Sequence, residues 1–545
     1  MLQPLDFAVI VVYLAGIAWL GIRAAGKQRT TTDYFLGGRD LPWWAVCFSV
    51  IATETSTLTV IGIPAVAFGG ALIFFQITLG FLIGRILVSA ILLPRYFRGE
   101  QETAYAFLGH RFGDRMRALA SVTFMLTRLL ADGVRLFATA IPLKVIALSA
   151  GWEISYATII IVIGLVTICY TFIGGLKAVV WVDTVQMIIY VGGAVLAVFL
   201  LLGHLPADWL ARAVAEGKTQ IWQLDPGITS WFGQPHMFSP SVVLGLGLTD
   251  WLTQPYTFVT ALVGGTVFSM ASHGADQLIV QRILACRSLK DGRRAIIWSG
   301  VGVMIQFALF LLVGLLLWAY YNGATLDALG LSRGDEVFPK FIVEGMPAGI
   351  SGLLLAGIIA AAMSTLSSSL NALAGASIFD VFQRYSSRSL SDASALRLSR
   401  IMTLFWGAAL IGFAMLFTDM QNPVVELGLS IASFTYGGLL GAFLLGILSK
   451  KAREVDAIIA FVATIVLMTV VIFSVFYSSV EGSWLFAWRP GADLKAELGL
   501  VSLAWPLYTV FGAAGMILLG SILGLRHRDS GVAGDSTERS APTTT

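Results

Sequence analysis

The chain has 545 residues, of which 57% are hydrophobic and 12% are charged, and its formal net charge is +3. Its mean hydropathy is +0.82, and apolar runs long enough to span a bilayer recur from Asp6 to Arg526. A soluble protein shows shorter periodic segments with polar faces, so this pattern excludes a soluble globular fold. The sequence predicts an all-α polytopic membrane protein.

In chain order, thirteen apolar segments are predicted to form transmembrane helices. They are 6–26, 43–71, 74–94, 118–147, 155–173, 178–203, 240–283, 295–321, 346–383, 399–417, 423–448, 456–477 and 503–525. We call the first the leading helix, the next ten core helices 1 to 10, and the last two peripheral helices. The leading helix has neither a basic region before it nor a small-residue cleavage site after it, so we interpret it as retained. The polar residues 527–545 are predicted to form a disordered cytoplasmic tail.

Basic residues predict the orientation of these helices. With the N-terminus outside, and with residues at span ends counted in the adjoining connections, 25 of the 35 Lys and Arg residues, Arg282 among them, fall in cytoplasmic connections or the C-terminal tail, 7 in outer segments and 3 in span interiors. Cytoplasmic loops characteristically carry such an excess. We therefore predict a multi-pass protein of the cell (inner) membrane with a cytoplasmic C-terminus. The net charge reflects this orientation and does not indicate nucleic-acid binding. The spacing of the three cysteines is typical of neither a disulfide framework nor a metal site.

Two core helices contain helix-breaking residues near mid-span. These residues are Gly62 and Pro64 in core helix 1, and Gly264, Gly265 and Gly274 in core helix 6. In lipid, a broken helix persists only where its backbone is buried in protein or lines a cavity. An ordinary proline kink is the alternative for core helix 1 alone. Because the two helices begin two five-helix halves, the pattern favours an inverted-repeat transporter with its site at the breaks.

Core helix 8 concentrates hydroxyl side chains in an apolar setting. They belong to Ser364, Thr365, Ser367, Ser368 and Ser369. Positions three and four apart share a helix face, and sodium, like other hard cations, prefers oxygen ligands. In a generic span, such residues instead pack helices closely or bond back to their own carbonyls. Five hydroxyls in six residues, opposite a broken helix, favour ion binding.

Four blocks of this sequence resemble the sodium:solute symporter family. They are "DYFLGGRDLPWW" (33–44), "FIGGLKAVVWVDTVQ" (172–186), "GADQLIVQRILACRSLKDGRRA" (274–295) and the hydroxyl run leading to Asp380. The resemblance implies one transporter domain, 1–545, with a leucine-transporter-type 5+5 inverted repeat and broken core helices 1 and 6. The repeats then cover 43–203 and 240–448, and 456–526 is peripheral. It also implies Na+-coupled uptake by alternating access.

The resemblance further implies a sodium site between core helices 1 and 8. Matched to the family, its ligands are the carbonyls of Ala52, Thr55 and Ala361 and the hydroxyls of Ser364 and Thr365. Sodium is the coupling ion in this interpretation, and no cofactor or other metal is implied.

A second sodium is implied by two-sodium members of the family, which include bacterial sialic acid symporters. Its predicted site combines the acid on core helix 5 with hydroxyls of core helix 8, namely Asp183, Ser364, Ser367 and Ser368. A carboxylate within a membrane is costly and usually functional. The alternative is a structural acid near the cytoplasmic end that caps a helix or pairs with Lys177.

Charged residues on core helix 3 suggest how an anionic solute binds. Arg128, Asp132 and Arg135 lie on one helical stripe with a net charge of +1, and guanidinium matches carboxylate bidentately. An arginine at this place in the sialic acid symporters, about two turns before a proline, resembles Arg135 before Pro142. The alternative is that all three form an internal network or face the cytoplasmic vestibule.

Further candidate substrate residues lie beside the break of core helix 1 and at the start of core helix 2. Ser56 and Thr59 are short hydroxyl residues where sugar-transporting relatives carry a long amide, and Gln76 is placed to close the pocket from outside. Glu54 either lines the substrate path or joins a lateral polar network. A substrate role for Arg85 is weaker, because its long side chain can snorkel.

The sequence therefore predicts a secondary-active Na+ symporter, not an enzyme, that imports a small organic solute. A carboxylate is the favoured solute. The alternatives are a Na+/proline or other amino-acid symporter and a membrane sensor module acting with a signalling partner. An integral-membrane enzyme is disfavoured, since the five histidines lack metal-ligand spacing and His273, at the break of core helix 6, is expected to shape the pocket. The expected partners are the anionic solute, Na+ and the lipid bilayer.

Overall fold

The computed structural model describes residues 3–25, 30–98, 101–149, 151, 153–223, 248–385, 392–417 and 424–527. The helices of the first half are α1 (Pro4–Ala25), α2 (Thr31–Leu36), α3 (Trp43–Glu54), α4 (Thr57–Gly69), α5 (Phe75–Ile91), α6 (Leu93–Tyr96), α7 (Ala106–Arg111), α8 (Asp114–Ser149), α9 (Tyr156–His204) and α10 (Trp209–Ala215). The predicted tail, apart from His527, lies outside the described residues.

The second half is also helical, with one small sheet. Its helices are α11 (Leu248–Thr253), α12 (Phe258–Gly274), α13 (Gln277–Leu284), α14 (Leu289–Tyr320), α15 (Val337–Glu344), α16 (Ile350–Ala376), α17 (Gln383–Tyr385), α18 (Asp392–Ala414), α19 (Val424–Leu448), α20 (Glu454–Ser474), α21 (Ala492–Leu498) and α22 (Trp505–Gly524). A π-helical turn, Ser377–Phe382, continues α16. The strands are β1 (Val475–Ser478), β2 (Ser483–Phe486) and β3 (Leu500–Ser502).

Within the described ranges, nine helices are long and apolar enough to cross a bilayer, or up to eleven when each of two bent pairs counts as one span. These eleven coincide with eleven of the thirteen predicted segments. The other two predicted segments are 118–147, which lies within the 36-residue α8, and 155–173, which lies in the first part of α9. Residues 240–247 of the predicted core helix 6 lie outside the described residues. The total of thirteen and the repeat arrangement remain predictions.

Both predicted breaks are present, but the first lies elsewhere. Helices α3 and α4, which form core helix 1, meet at an angle of 59° around Thr55 and Ser56. Gly62 and Pro64, the residues predicted to break this span, instead lie inside α4. The chain departs from helical geometry at Thr55, where ψ is 76°. The first break therefore lies in the polar segment 53–57 and not at Pro64.

The second break separates α12 from α13, which also meet at 59° and form core helix 6. Gly274 ends α12 at this break, as predicted. Gly264 and Gly265 lie inside α12 and serve packing, because a Cβ on Gly265 would come within 2.8 Å of the Ile77 carbonyl oxygen on α5. Small residues allow such close helix–helix approach in membranes.

Helix α9 contains core helices 4 and 5 on either side of a sharp kink. Gly175 at the kink has φ 71° and ψ 171°, a conformation that glycine adopts at little cost. Helix α9 packs against α3, α16 and the leading helix α1, and its second part meets Ser49 of α3 and Ser364 of α16. Asp183, predicted as an ion ligand, lies on this second part and is fully buried.

Helix α16, which is core helix 8, lies deep in the bundle. In its span, Ile350–Tyr385, 88% of the most apolar window is buried, so its hydroxyl run is not exposed to lipid. At the N-terminal end of α16, Asp6 of α1 accepts hydrogen bonds from the Gly349 amide (2.6 Å), the Ser351 hydroxyl (2.8 Å) and the Gly352 amide (2.9 Å). The leading helix thus caps the helix that carries the predicted ion ligands.

The chain between the two peripheral helices α20 and α22 forms a sheet that the sequence did not predict. The predicted span 456–477 ends at Ser474, where the chain becomes extended. Strand β1 pairs antiparallel with both β2 and β3, in the order β2-β1-β3. The prediction for this span was therefore too long by its last three residues.

Candidate functional site

The backbone around the first break leaves several carbonyl groups outside the helical hydrogen-bond ladder, and those of Ala52 and Thr55 are among them. The Ser56 amide donates to the Glu54 carbonyl (3.0 Å), and the Thr59 amide donates to the Ser56 carbonyl (2.9 Å). In a continuous α-helix these amides would reach the carbonyls of Ala52 and Thr55, four residues earlier. The break therefore frees the two backbone oxygens of core helix 1 that were predicted to bind sodium.

The predicted ligands on α16 are buried in a helix that packs against the broken one. Ala361, Ser364 and Thr365 are each at most 2% exposed, and α16 packs against both α3 and α4. The Thr365 hydroxyl donates to the Ala361 carbonyl at 3.1 Å, so these two predicted oxygens are adjacent. The Thr57 hydroxyl at the start of α4 donates to the Ile358 carbonyl of α16 at 3.4 Å. We call Ala52, Thr55, Ala361, Ser364 and Thr365 the threonine cluster.

A narrow cavity of about 10 Å³ brings one residue of this cluster, Thr365, next to candidate substrate residues. Ser56 from the break, Arg135 from α8 and Thr365 from α16 all line it, and Asp132 lies beside them. An ion at Thr365 and a solute at Ser56 or Arg135 would therefore be near neighbours. This proximity supplies a physical route for coupling between the two.

The residues predicted for a second sodium surround a charged pair. Asp183 accepts hydrogen bonds from the hydroxyls of Ser49 (2.6 Å) and Ser364. The fully buried Arg282 lies 3.6 Å from the Asp183 carboxylate and donates to Ser49 (3.0 Å) and to Ser368. The structure thus brings together Asp183, Ser364 and Ser368, as predicted, and adds a cation of the protein. We call Asp183, Arg282, Ser49, Ser364 and Ser368 the aspartate cluster.

Sequence reasoning missed Arg282 and left open a different partner for Asp183. Arg282 was counted among the basic residues of a cytoplasmic connection, whereas it lies in α13 at the second break. Among the described ion pairs, Asp183 pairs with Arg282 and not with Lys177. The available signal was the position of Arg282 on the apolar helix "QLIVQRIL", where a charge must find a partner.

The fourth predicted residue of the second site, Ser367, faces another direction. Its hydroxyl donates to the Ser364 carbonyl at 2.9 Å. Ser367 and Asp183 both line an apolar crevice of about 410 Å³ between α1, α9 and α16. Asp183 therefore has one side towards Arg282 and another towards this crevice.

The charged stripe on α8 is neutralised by an acid from the second break. Arg128 donates to Asp276 and to the Tyr436 hydroxyl, and it lies 3.6 Å from Asp132. Asp132 also pairs with Arg135 at 3.2 Å. With Asp276 included, two arginines face two aspartates. The predicted excess charge of +1 is therefore wrong, and it no longer argues for an anionic partner.

A central cavity of about 90 Å³ lies between the two breaks. Its lining includes the candidate substrate residues Ser56, Thr59 and Arg135, together with Glu54 and His273. Gln76 is not among the described residues that line either this or the narrow cavity. Its side chain instead donates to the Tyr256 carbonyl (2.8 Å) and accepts from the Gln223 amide (3.2 Å), at the N-terminal end of α5.

Glu54 both lines the central cavity and joins a buried network, which answers the question that the sequence left open. Its carboxylate pairs with Arg85 and lies 3.1 Å from Nε2 of His273. Arg85 is fully buried and donates to the Ser299 hydroxyl at 3.2 Å. The snorkelling considered for Arg85 is therefore wrong, because the neighbouring acid retains its side chain inside the protein.

The cysteines and acids offer no alternative metal centre within the described part of the chain. No group of three or more His, Cys, Asp or Glu residues there is arranged to hold a metal ion. Cys47 and Cys286 are free and buried. Burial raises the pKa of the Cys286 thiol, on the connection between α13 and α14, which disfavours the thiolate that metals bind.

Comparison with known proteins agrees with this architecture. The model of the sodium:solute symporter family matches residues 34–464. The sodium/sialic acid symporter SiaT of Proteus mirabilis is 29% identical over 85% of this chain and 88% of its own length. The sodium-coupled monocarboxylate transporter 1 of Mus musculus is 29% identical over 84% of this chain and 71% of its own length.

A solved structure shows the same fold. It is a Na+-coupled sialic acid symporter in a substrate-bound, outward-open state with a novel Na+-site, and it has a TM-score of 0.76 at 26% identity. The match covers 96% of this chain and 98% of the other. These relatives are transporters rather than enzymes. The chain is a multi-pass, Na+-coupled solute symporter and belongs to the sodium:solute symporter family.

Proposed function

We propose that the protein imports a small organic carboxylate together with Na+ by alternating access. In this proposal the chain is one transporter domain in the cell (inner) membrane, with an external N-terminus and a cytoplasmic C-terminus. The observation that carries the proposal is the release of the Ala52 and Thr55 carbonyls at the break between α3 and α4. Buried carbonyls without a helical partner need a donor or a cation, and Thr365 of α16 lines the same narrow cavity as Ser56 at the break.

The threonine cluster is the proposed coupling site for sodium. Its five oxygens are uncharged, and no basic side chain donates to the carbonyls of Ala52 or Thr55 among the described hydrogen bonds. A cation bound there would hold the broken helix against α16. The conformation in which Ser56 and Arg135 face a shared cavity would then be favoured, so sodium and solute would stabilise the same state.

Arg135 is the proposed carboxylate ligand. Asp132 holds one nitrogen of its guanidinium at 3.2 Å, and its side chain remains 24% exposed while lining both cavities. Arginine has five N–H donors, so this pairing leaves donors for a second carboxylate. The names of the relatives include sialic acid and monocarboxylates, which are acids. The relatives therefore support a carboxylate solute. The net charge of the α8 stripe does not, because Asp276 neutralises it.

A second sodium is proposed at Asp183, Ser364, Ser367 and Ser368. In the present arrangement Arg282 already supplies a positive charge to Asp183. We therefore propose that the second ion binds only when the guanidinium moves away from the carboxylate. In that case the reversal potential of uptake should correspond to more than one Na+ per solute, whereas a value for one Na+ per solute would rule out the second ion.

The direct test of the proposed function is uptake into proteoliposomes. Purified protein would be reconstituted, and accumulation of radiolabelled acids and amino acids would be measured with an inward Na+ gradient. We expect accumulation of a carboxylate above equilibrium, abolished by replacing Na+ with K+ on both sides. Sodium-dependent transport of neutral solutes, with no acid transported, would overturn the carboxylate proposal.

A further inference from the structure

The central cavity exposes two ionisable side chains of opposite charge. The acidic and basic residues in its lining are Glu54, Arg128, Arg135 and His273. The side chains of Arg128 and His273 are at most 5% exposed and are held by neighbours, whereas Glu54 and Arg135 are 22% and 24% exposed. A solute in the cavity therefore meets a carboxylate as well as a guanidinium.

The Glu54 carboxylate is fixed at the cavity wall from behind. Arg85 pairs with one oxygen, His273 lies 3.1 Å from the other, and Ser299 in turn holds Arg85. The Glu54 carbonyl also accepts the Thr59 hydroxyl at 3.1 Å and the Ser56 amide at 3.0 Å. The side chain and the backbone of Glu54 are thus both positioned by the unwound segment and its neighbours.

Glu54 retains capacity to accept further hydrogen bonds. An ionised carboxylate has about four acceptor positions, of which Arg85 fills one, and His273 Nε2 lies 3.1 Å from the other oxygen. When a solute displaces water from the cavity, the remaining positions need donors, because a buried acceptor without a partner is costly. A plain monocarboxylate brings a second negative charge and no such donor.

Building on the proposed carboxylate site at Arg135, we propose that Glu54 is a second substrate-binding residue. The solute class that fits is a small acid that also carries a hydrogen-bond donor, an ammonium or a hydroxyl group, which binds Glu54. The carboxylate of the solute pairs with Arg135, and its donor pairs with Glu54. Arg85 and His273 act as positioning residues for the Glu54 carboxylate.

Matched acids provide the test in the wild-type protein. Binding would be measured at saturating Na+ for sets of equal chain length: propionate, lactate and alanine, then hexanoate, gluconate and 6-aminohexanoate, with N-acetylneuraminate as a larger hydroxylated acid. We expect at least one donor-bearing acid to bind ~10- to 100-fold more tightly than its unsubstituted counterpart. The hydroxyl and ammonium compounds distinguish the two kinds of donor.

The outcomes separate this inference from the proposed function. If unsubstituted acids bind as tightly as their donor-bearing counterparts, the role of Glu54 is wrong while the carboxylate site stands. If none of these acids binds, the carboxylate proposal falls as well, and this inference falls with it.

A substitution of Glu54 tests whether this residue causes the preference for donor-bearing acids. Glu54→Gln should reduce the affinity ratio of donor-bearing to unsubstituted acid by ~10-fold or more, and an unchanged ratio would contradict the proposal. Because this change leaves Arg85 without its acid, the double variant Glu54→Gln/Arg85→Gln provides a second measurement without an unpaired buried charge. Ser399→Ala is the control, since the buried Ser399 hydroxyl donates to the Ala395 carbonyl of its own helix and Ser399 does not line the cavity, so its ratio should match wild type.

Discussion

The two oxygen-rich clusters on α16 differ in what supplies their positive charge. The threonine cluster consists of uncharged oxygens, two of them released by a broken helix. The aspartate cluster contains a carboxylate whose charge is already balanced by the buried Arg282. The two clusters meet at Ser364, whose hydroxyl donates to Asp183. Hydroxyl content alone therefore does not define an ion site, because a tethered cation can take the place of a mobile one.

This difference has a consequence for coupling. A sodium ion entering the threonine cluster adds a charge where the described side chains supply none. A sodium ion entering the aspartate cluster must first compete with a guanidinium that donates to both Ser49 and Ser368. We therefore expect the threonine cluster to bind sodium more tightly than the aspartate cluster does. We also expect substitutions of Arg282 to change the sodium affinity of the aspartate cluster.

The largest expected effect comes from breaking the buried ion pair. Asp183→Ala leaves Arg282 fully buried without its acid, which should destabilise the protein by ~3–5 kcal/mol. Thermal unfolding in detergent would measure this loss. The double variant Asp183→Asn/Arg282→Gln removes both charges and should recover most of the stability. If Asp183→Ala unfolds at the wild-type temperature, the stability of the protein does not depend on the ion pair between Arg282 and this carboxylate.

The next largest effect is expected at Arg135, which shares a cavity with the threonine cluster and not with the aspartate cluster. Arg135→Ala should weaken solute binding at saturating Na+ by roughly one to two decades, through loss of a charge-assisted pair of ~1.5–3 kcal/mol. Arg135→Lys should restore binding only in part, because an ammonium lacks the planar fork. The acid would be compared with its amide, and a wild-type preference for the amide would contradict the carboxylate role.

A smaller effect is expected at Thr365. Thr365→Ala removes one of the five proposed sodium oxygens, which should raise the half-saturating Na+ concentration about tenfold, as expected for the loss of one interaction of ~1.4 kcal/mol. Sodium activation of solute uptake would measure the change. Ser369→Ala is a matched control on the same helix, since Ser369 is equally buried but lines neither described cavity. Equal Na+ activation in both variants would remove Thr365 from the site.

The smallest effect is expected at Ser367, which lines the crevice beside Asp183 and whose hydroxyl donates to the Ser364 carbonyl. Ser367→Ala should lower the Hill coefficient for Na+ while changing the half-saturating concentration by no more than about twofold, because the stronger ligands remain. A large rise in the half-saturating concentration, comparable with that of Thr365→Ala, would contradict the expectation that the threonine cluster binds sodium more tightly than the aspartate cluster.

Local sequence was sufficient for features that depend on neighbouring residues. The hydroxyl run of α16, the carbonyls of Ala52 and Thr55 and the break at Gly274 all follow from short segments and from the family resemblance. The position of the first break did not, because the chain unwinds at Thr55 while Pro64 is accommodated inside α4. A proline signals a missing donor, but packing decides whether the helix breaks there.

Charge pairing across the bundle was beyond local sequence. Asp276 neutralises the stripe on α8, and Arg282 balances Asp183, from positions about a hundred residues or more away along the chain. The sequence showed that buried charges need partners but not which partners the fold supplies. For this reason the net charge around Arg135 was misjudged, although Arg135 does line both cavities beside the breaks.

The central claim, that sodium at the threonine cluster is energetically linked to solute in the neighbouring cavity, is tested most directly by reciprocal binding measurements. Solute affinity would be measured without Na+ and at saturating Na+, and Na+ affinity without and with solute. Linkage requires the two enhancement factors to be equal, and we expect a factor of ~5–150 in wild type that falls sharply in Thr365→Ala. Solute affinity independent of Na+, or an enhancement retained in full by Thr365→Ala, would contradict the account.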